Sequence, residues 1–340
     1  MCLGDICRQL YISNLEVENE SSLFHTINRN KRSIALDLKD ADDLAKVKEI
    51  LKGADVMIQN FRPGIIERLG LGYDEVRTID PGIVYGSISG YGQVGPWARK
   101  PGQDLLAQSL SGLTWLSGNR DNNPVPVGVA VVDLFCGANL ALGILACLVR
   151  RGLTGQGGRV DVSLMEAILD LQFELISTHL NDGGKRPDRS EQYNAHAFLG
   201  APYGIYDTKD SYIALAMGSL TKLADLLSCP EILAYSDPDA AFVERDAIKE
   251  IIAVKLRSQT TSHWLSILEP ADVWCSDVLH WEQLRQHDGY KALDMEQEIY
   301  AAGGTAMKTL RCPIRIDGEI YKSSKGAPTV GQDNEALLKR

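Results

Sequence analysis

Hydrophobic and polar residues follow two alternating periods along the early part of this chain. At 33–38, Ile34, Leu36 and Leu38 alternate with Ser33, Ala35 and Asp37, the two-residue period of a strand. At 41–54, Leu44, Val47, Ile50 and Leu51 share one face of a helix, with Gly53 as its stop. The run ADVMIQNF (54–61) predicts a second, buried strand, and 61–82 a helix and turn. GIVYGSISGYG (82–92) predicts a third strand running into a glycine-rich loop. Strand, helix, strand, helix, strand is the pattern of parallel α/β layering. Ligands in such sheets gather at the carboxyl ends of strands. Those ends are Asn60, Phe61 and Arg62 after the second strand, and 90–95 after the third.

The run 126–151, PVGVAVVDLFCGANLALGILACLVRR, differs from everything around it. Its one acidic residue is Asp133, and no other charge follows until Arg150. A run apolar on nearly every face predicts a buried helix, packed closely through Gly137, Ala138, Ala141, Gly143 and Ala146. At about 17 residues it is too short and too glycine-rich for a membrane span, and no second candidate exists. A carboxylate at the mouth of such a helix has two readings. It caps the helix, or it is a partly desolvated nucleophile oriented by the helix N-terminus.

Elsewhere, 100–118 reads as a loop entering a helix, with Asp104 near its start. A strand at 160–162 precedes a helix whose Glu166 and Asp170, four apart, predict a solvated face. The charged, glycine-containing stretch 181–194 reads as a linker. Beyond it the texture is α+β: short β-pairs around a turn at Lys209 and Asp210, then helices at 220–227 and 242–257. The tail predicts a loop and a final helix.

Composition narrows the chemistry. A formal charge of -10 argues against a general nucleic-acid binder. The seven cysteines, Cys2 among them, are scattered without a CxxC pair, and the six histidines form no HExxH. Neither a metal site nor a disulfide framework is expected, and a reducing cytoplasm fits best. The N-terminus lacks the regions of a signal peptide. Without GxGxxG or GxxxxGK[ST], nicotinamide cofactors and nucleoside triphosphates are disfavoured. Arg29, Lys31 and Arg32 read as a phosphate-binding cluster or a solvated turn.

Six stretches in order resemble the class III CoA-transferases: 28–39 (NRNKRSIALDLK), 54–75 (ADVMIQNFRPGIIERLGLGYDE), 85–96 (YGSISGYGQVGP), 101–112 (PGQDLLAQSLSG), 126–145 and 326–337 (GAPTVGQDNEAL). The family includes formyl-CoA:oxalate and carnitine CoA-transferases, with α-methylacyl-CoA racemase as a relative. The resemblance implies that Asp133 attacks an acyl-CoA, passing through an acyl–aspartyl anhydride and an enzyme-bound CoA thioester. It implies CoA contacts from Leu36, Asp37, Leu38 and Lys39 near the adenine, from Asn60, Phe61 and Arg62 at the nucleotide, and from Arg68 at a phosphate. Pro101, Gly102, Gln103 and Asp104 would line the pantetheine arm and the acyl site. The partners implied are an acyl-CoA, a small carboxylic acid and a second copy of the chain. No tightly bound cofactor, metal, nucleic acid or membrane is implied.

The fold expected is a Rossmann-like parallel-sheet large domain at 1–182, a smaller α+β domain at 190–295, and a segment at 296–340 returning to the large domain. Two chains would form an interlocked homodimer. Two departures from the family pattern give alternatives. Gln103 stands where the racemase has a histidine, and an amide moves no proton near neutral pH, which disfavours acyl-CoA racemisation or epimerisation. The chain also begins at the segment after the family's first strand and helix, lacking about 35–40 residues, the scale of one α/β unit. On that reading the alternative is an inactive truncated CoA-binding fragment.

Overall fold

The computed structural model describes residues 4–12, 14–235, 237 and 239–338. The chain divides into two compact units: Leu51–Val278, and the residues before Leu51 together with those from Leu279 onward.

The first of these units is built on a parallel sheet of three strands, Val56–Gln59, Val84–Ser89 and Gly158–Ser163, in that spatial order. Val84 lies opposite both Val56 and Gly158 in register. The middle strand, between two neighbours, is buried along nearly all of its length and so is shielded on both faces. Its Tyr85 is buried and donates its hydroxyl to the Leu71 carbonyl at 3.0 Å. The long helix Val131–Thr154 crosses this sheet and ends at Gly155, whose φ of 73° is the left-handed conformation of a helix stop. Val132, Cys136, Leu140 and Ile144 form its buried face, and the last two pack on Val84, Ile88, Val160 and Val162. The approach is close because Gly143 faces Val160 and Gly86 faces Ile144. A Cβ added to Gly143 would stand 2.5 Å from Val160 Cγ1.

The expectation of a helix buried on nearly every face is corrected here. Leu134, Leu142, Leu145, Val149 and Leu153 are exposed, Leu142 at 64% and Val149 at 70%. The chain covers one face of an all-apolar helix with its own sheet and leaves the opposite face bare. By length and composition alone this helix is also apolar enough to cross a membrane.

In the same unit an antiparallel sheet of Gly204–Asp207, Tyr212–Leu215 and Cys275–Asp277 is covered on one side by helices. Helices Leu220–Leu226, Arg245–Leu256 and Thr261–Leu268 bury Tyr206, Ile213, Leu223, Ile248, Ile252 and Trp264 against it. The stretch read as a linker is pinned rather than loose. Buried Arg189 donates to the carbonyls of Ser117, Arg120 and Asn122. Lys249, also buried, donates to Ser190 Oγ at 2.9 Å and the Tyr193 carbonyl at 3.2 Å.

The other unit contains the helix Ala41–Leu51 up to Ile50, the antiparallel pair Glu296–Tyr300 and Ala306–Leu310, and the terminal helix Asn334–Leu338. The strand expected at 33–38 does not form. Its backbone is satisfied by side chains from the far end of the chain: Ser33 N–H donates to Asp333 and Ala35 N–H to Asn334, each at 2.8 Å. Those bonds take the place of a neighbouring strand.

Candidate functional site

The carboxyl ends of the first two strands are tied together before any ligand is considered. Gln59 Nε2 donates to Ser87 Oγ at 2.8 Å, and Gln93 Nε2 donates to the same oxygen at 3.0 Å. Gln59 Oε1 accepts the Phe61 N–H at 2.8 Å. The loop carrying Asn60, Phe61 and Arg62 is thus fixed beside the glycine-rich loop that follows the middle strand. That second loop meets the segment before Asp104 backbone to backbone, and a Cβ on Gly90 would lie 2.6 Å from Gly102 Cα. Neither glycine needs positive φ. Each is required by the close approach.

Between these loops and the start of the long helix lies a cavity of about 520 Å³. Its walls include Asn60, Phe61, Arg62, Gly102, Gln103 and Asp133, six residues expected at the site. Cys136, Lys100, Ser89 and Leu164 line it as well and were not anticipated. Cys136 was legible in principle, since a residue three places after Asp133 shares its helix face. Arg68 does not line this cavity. It is exposed at the end of the short helix Ile65–Arg68. Pro101 is adjacent, with its carbonyl accepting from the Tyr91 hydroxyl. In the other unit, Leu36 lines a separate cavity of about 240 Å³ with Arg8, Lys31 and Arg32. Asp37 and Lys39 form the exposed turn before the helix Ala41–Leu51, and Leu38 is half-buried there.

Asp133 is the third residue of the long helix and does not cap it. Ala130 occupies the N-cap without a side-chain bond. The cap comes from another helix: buried Asp104, first residue of Asp104–Leu110, accepts the N–H of Val132 at 2.8 Å and of Asp133 at 3.2 Å through Oδ2. Its Oδ1 accepts from Gln108 Nε2 at 2.6 Å, and Gln108 Oε1 accepts the Val127 N–H at 2.9 Å. Among the described residues, none donates a hydrogen bond to the Asp133 carboxylate. Although that side chain reaches solvent, partial burial raises its pKa above the usual carboxylate range, with the Asp104 charge adding to the effect. Burial pushes the Cys136 thiol up to about 11, with smaller contributions from Asp133 and Glu166, so it stays protonated near neutral pH. The arrangement therefore offers an unpaired carboxylate, a neutral thiol below it, and two cations, Arg62 and Lys100, in one cavity. It suits an anionic ligand and covalent work by a carboxylate. Among the described residues no cluster of metal-ligating side chains is found.

Comparison with known proteins gives the chain's relatives. The model for CoA-transferase family III matches residues 2–334. The acetyl-CoA:oxalate CoA-transferase of Acetobacter aceti is 32% identical over 336 residues, covering 95% of this chain and 83% of the relative. The succinyl-CoA:glutarate CoA-transferase of Mus musculus is 33% identical over 335 residues, covering 95% and 74%. The crystal structure of a CaiB/BaiF family protein from Brucella suis aligns with a TM-score of 0.81 at 26% identity, over 99% of this chain and 89% of that one.

Proposed function

This chain belongs to CoA-transferase family III and is an enzyme that transfers coenzyme A, and we propose that it does so through Asp133. The Asp133 carboxylate attacks the carbonyl carbon of an acyl-CoA, the C–S bond breaks, and CoA leaves as thiolate. The thiolate then attacks the aspartyl carbonyl of the resulting anhydride, releasing the donor acid as carboxylate and leaving CoA as a thioester on Asp133. The acceptor carboxylate attacks that thioester, and returning thiolate takes its acyl group from the second anhydride. Every bond formed is matched by one broken, no electron is transferred to an outside acceptor, and Asp133 ends as it began.

The observation carrying this reading is the carboxylate that no described residue pairs, partly desolvated, in a cavity with Arg62 and Lys100. A hydrated or ion-paired carboxylate would be a poorer nucleophile, and an anhydride requires exclusion of water. Arg62 and Lys100 would attract the anionic ligand. Gln103 in the wall supplies no acid or base for α-proton transfer, which favours transfer over epimerisation. The substrates proposed are an acyl-CoA and a small carboxylic acid. The relatives named for oxalate and glutarate favour a dicarboxylic acid. Two further features belong to the same reading: CoA contacts from Leu36, Asp37, Leu38, Lys39 and Arg68, and a homodimer that covers the bare face of the long helix. The location proposed is a reducing cytoplasm, which seven scattered cysteines without a CxxC pair suit.

The test is intact-protein mass after mixing with a panel of acyl-CoAs, with and without hydroxylamine, for wild type and Asp133→Ala. A CoA adduct on wild type alone, trapped as a hydroxamate at Asp133, is the expected result. An adduct at another residue, or one that survives Asp133→Ala, would overturn the assignment.

A further inference from the structure

The trans cap at the start of the long helix raises a question of orientation. An acidic residue in the first turn of a helix is drawn toward the free N–H groups there, both by hydrogen bonding and by the positive end of the helix dipole. Asp133, third in its helix, would be expected to fold back and satisfy them. It does not, because the N–H groups of Val132 and Asp133 already point at Asp104 Oδ2. Gln108 holds Asp104 from the other side and also reaches Val127 in the loop that leads into the helix. Asp104 is 5% exposed and does not line the cavity, whereas Asp133 does.

We propose that Asp104 is a positioning residue for the transfer reaction: by taking the N–H groups at the start of the long helix, it keeps the Asp133 carboxylate out of the capping position and turned to the cavity. This rests on the reading of Asp133 as nucleophile. Asp104 acts at a second level through its charge. It takes up part of the positive potential of the helix end, which would otherwise stabilise the Asp133 carboxylate and blunt its attack. Of the other charged or titratable groups around the site, Arg62, Lys100 and Cys136 line the same cavity as Asp133, and Glu166, on the helix Leu164–Leu171, acts on Cys136. None of them contacts the Val132 or Asp133 N–H.

The experiment pairs Asp104→Asn with Asp104→Ala. The asparagine keeps a carbonyl for the helix N–H groups and removes the charge. Rates of CoA-adduct formation across pH, in protein shown to be folded, should then keep much of their size. The rising acidic limb should move to lower pH, because the neighbouring negative charge that helps hold the Asp133 proton is gone. The alanine frees the N–H groups, so a crystal structure should show the Asp133 carboxylate turned onto its own helix end. Adduct formation should fall by about 100-fold, the usual effect of misplacing a reacting group by an ångström. An unmoved acidic limb in Asp104→Asn, or an Asp133 side chain still facing the cavity in Asp104→Ala, overturns the proposal. If wild type forms no adduct at Asp133 the nucleophile reading falls, and the Asp104→Ala crystal structure still decides the positioning.

Discussion

Gly90→Ala is the most direct test of how the site is assembled. The added Cβ would stand 2.6 Å from Gly102 Cα, a backbone atom that no rotamer change can move. Ordinary contact begins at 3.4 Å, so the two segments must part by about 0.8 Å. Gly90 has no positive φ, so the cost is steric alone. Overpacking of this kind costs about 1–3 kcal/mol. The displaced segment leads directly into Asp104, so the shift passes to the cap on Val132 and Asp133, and an ångström there lowers turnover by about 100-fold. The assay is urea unfolding together with CoA exchange between an acyl-CoA and a carboxylic acid. Gly102→Ala meets the same obstacle, 2.5 Å from Gly90 Cα, and should behave alike. The double variant should cost less than the two singles added, because one opening serves both side chains. Gly152→Ala is the control: nothing lies within 4 Å of its Cβ, and alanine in a helix should stabilise by about 0.5–1 kcal/mol. Wild-type turnover and stability in Gly90→Ala would refute this account of the close approach.

Other variants probe different parts of the molecule. Burial, with Arg245 adding to it, lowers the Lys249 pKa from 10.5 to about 8. The unfolded chain then holds the proton more tightly, so stability should rise with pH between 8 and 10.5, and this slope should be absent in Lys249→Met followed by urea unfolding. Cys136, with its thiol pushed up to about 11, should resist iodoacetamide at pH 7 and react faster as pH approaches that value. Peptide mapping that found Cys136 labelled at neutral pH as fast as in unfolded protein would contradict its burial. Leu142→Glu places a charge on the bare face of the long helix. Sedimentation should show a homodimer in wild type and its loss in the variant, while an unchanged sedimentation coefficient would remove that face from the interface.

Much of the site was legible because its residues sit at the ends of strongly patterned segments. Asn60, Phe61 and Arg62 follow an apolar run, and Asp133 opens the most apolar run in the sequence. What failed was pairing. The alternation at 33–38 implies a strand, but periodicity does not say what will satisfy its backbone. Asp333 and Asn334 do so from 300 and 299 positions away. The strand Cys275–Asp277 has three residues, too few to show a period. The family resemblance of the segment 101–104 implies Asp104 as a wall of the acyl site, whereas Gly102 and Gln103 line the cavity and Asp104 does not. Its capping bonds join two helices 28 and 29 positions apart, and no local signal encodes them.

The long helix explains why burial itself was only half legible. A run apolar on every side states that each side will be covered, without stating by what. Gly143 and Gly137 separate the two cases within one helix. A Cβ at Gly143 would strike Val160, so this glycine exists for the chain's own sheet, whereas Gly137 meets nothing within 4 Å. Leu134, Leu142, Leu145, Val149 and Leu153 lie exposed in the single chain. Full burial is worth about 1.5–3 kcal/mol for each such side chain, enough to drive association. Asp133 and Leu134 are neighbours on that helix, so whatever covers Leu134 also limits water at the carboxylate. On the proposed homodimer, the partner that seals the bare face therefore also completes the desolvation on which the nucleophile depends, and separating the subunits should lower turnover even where each chain remains folded.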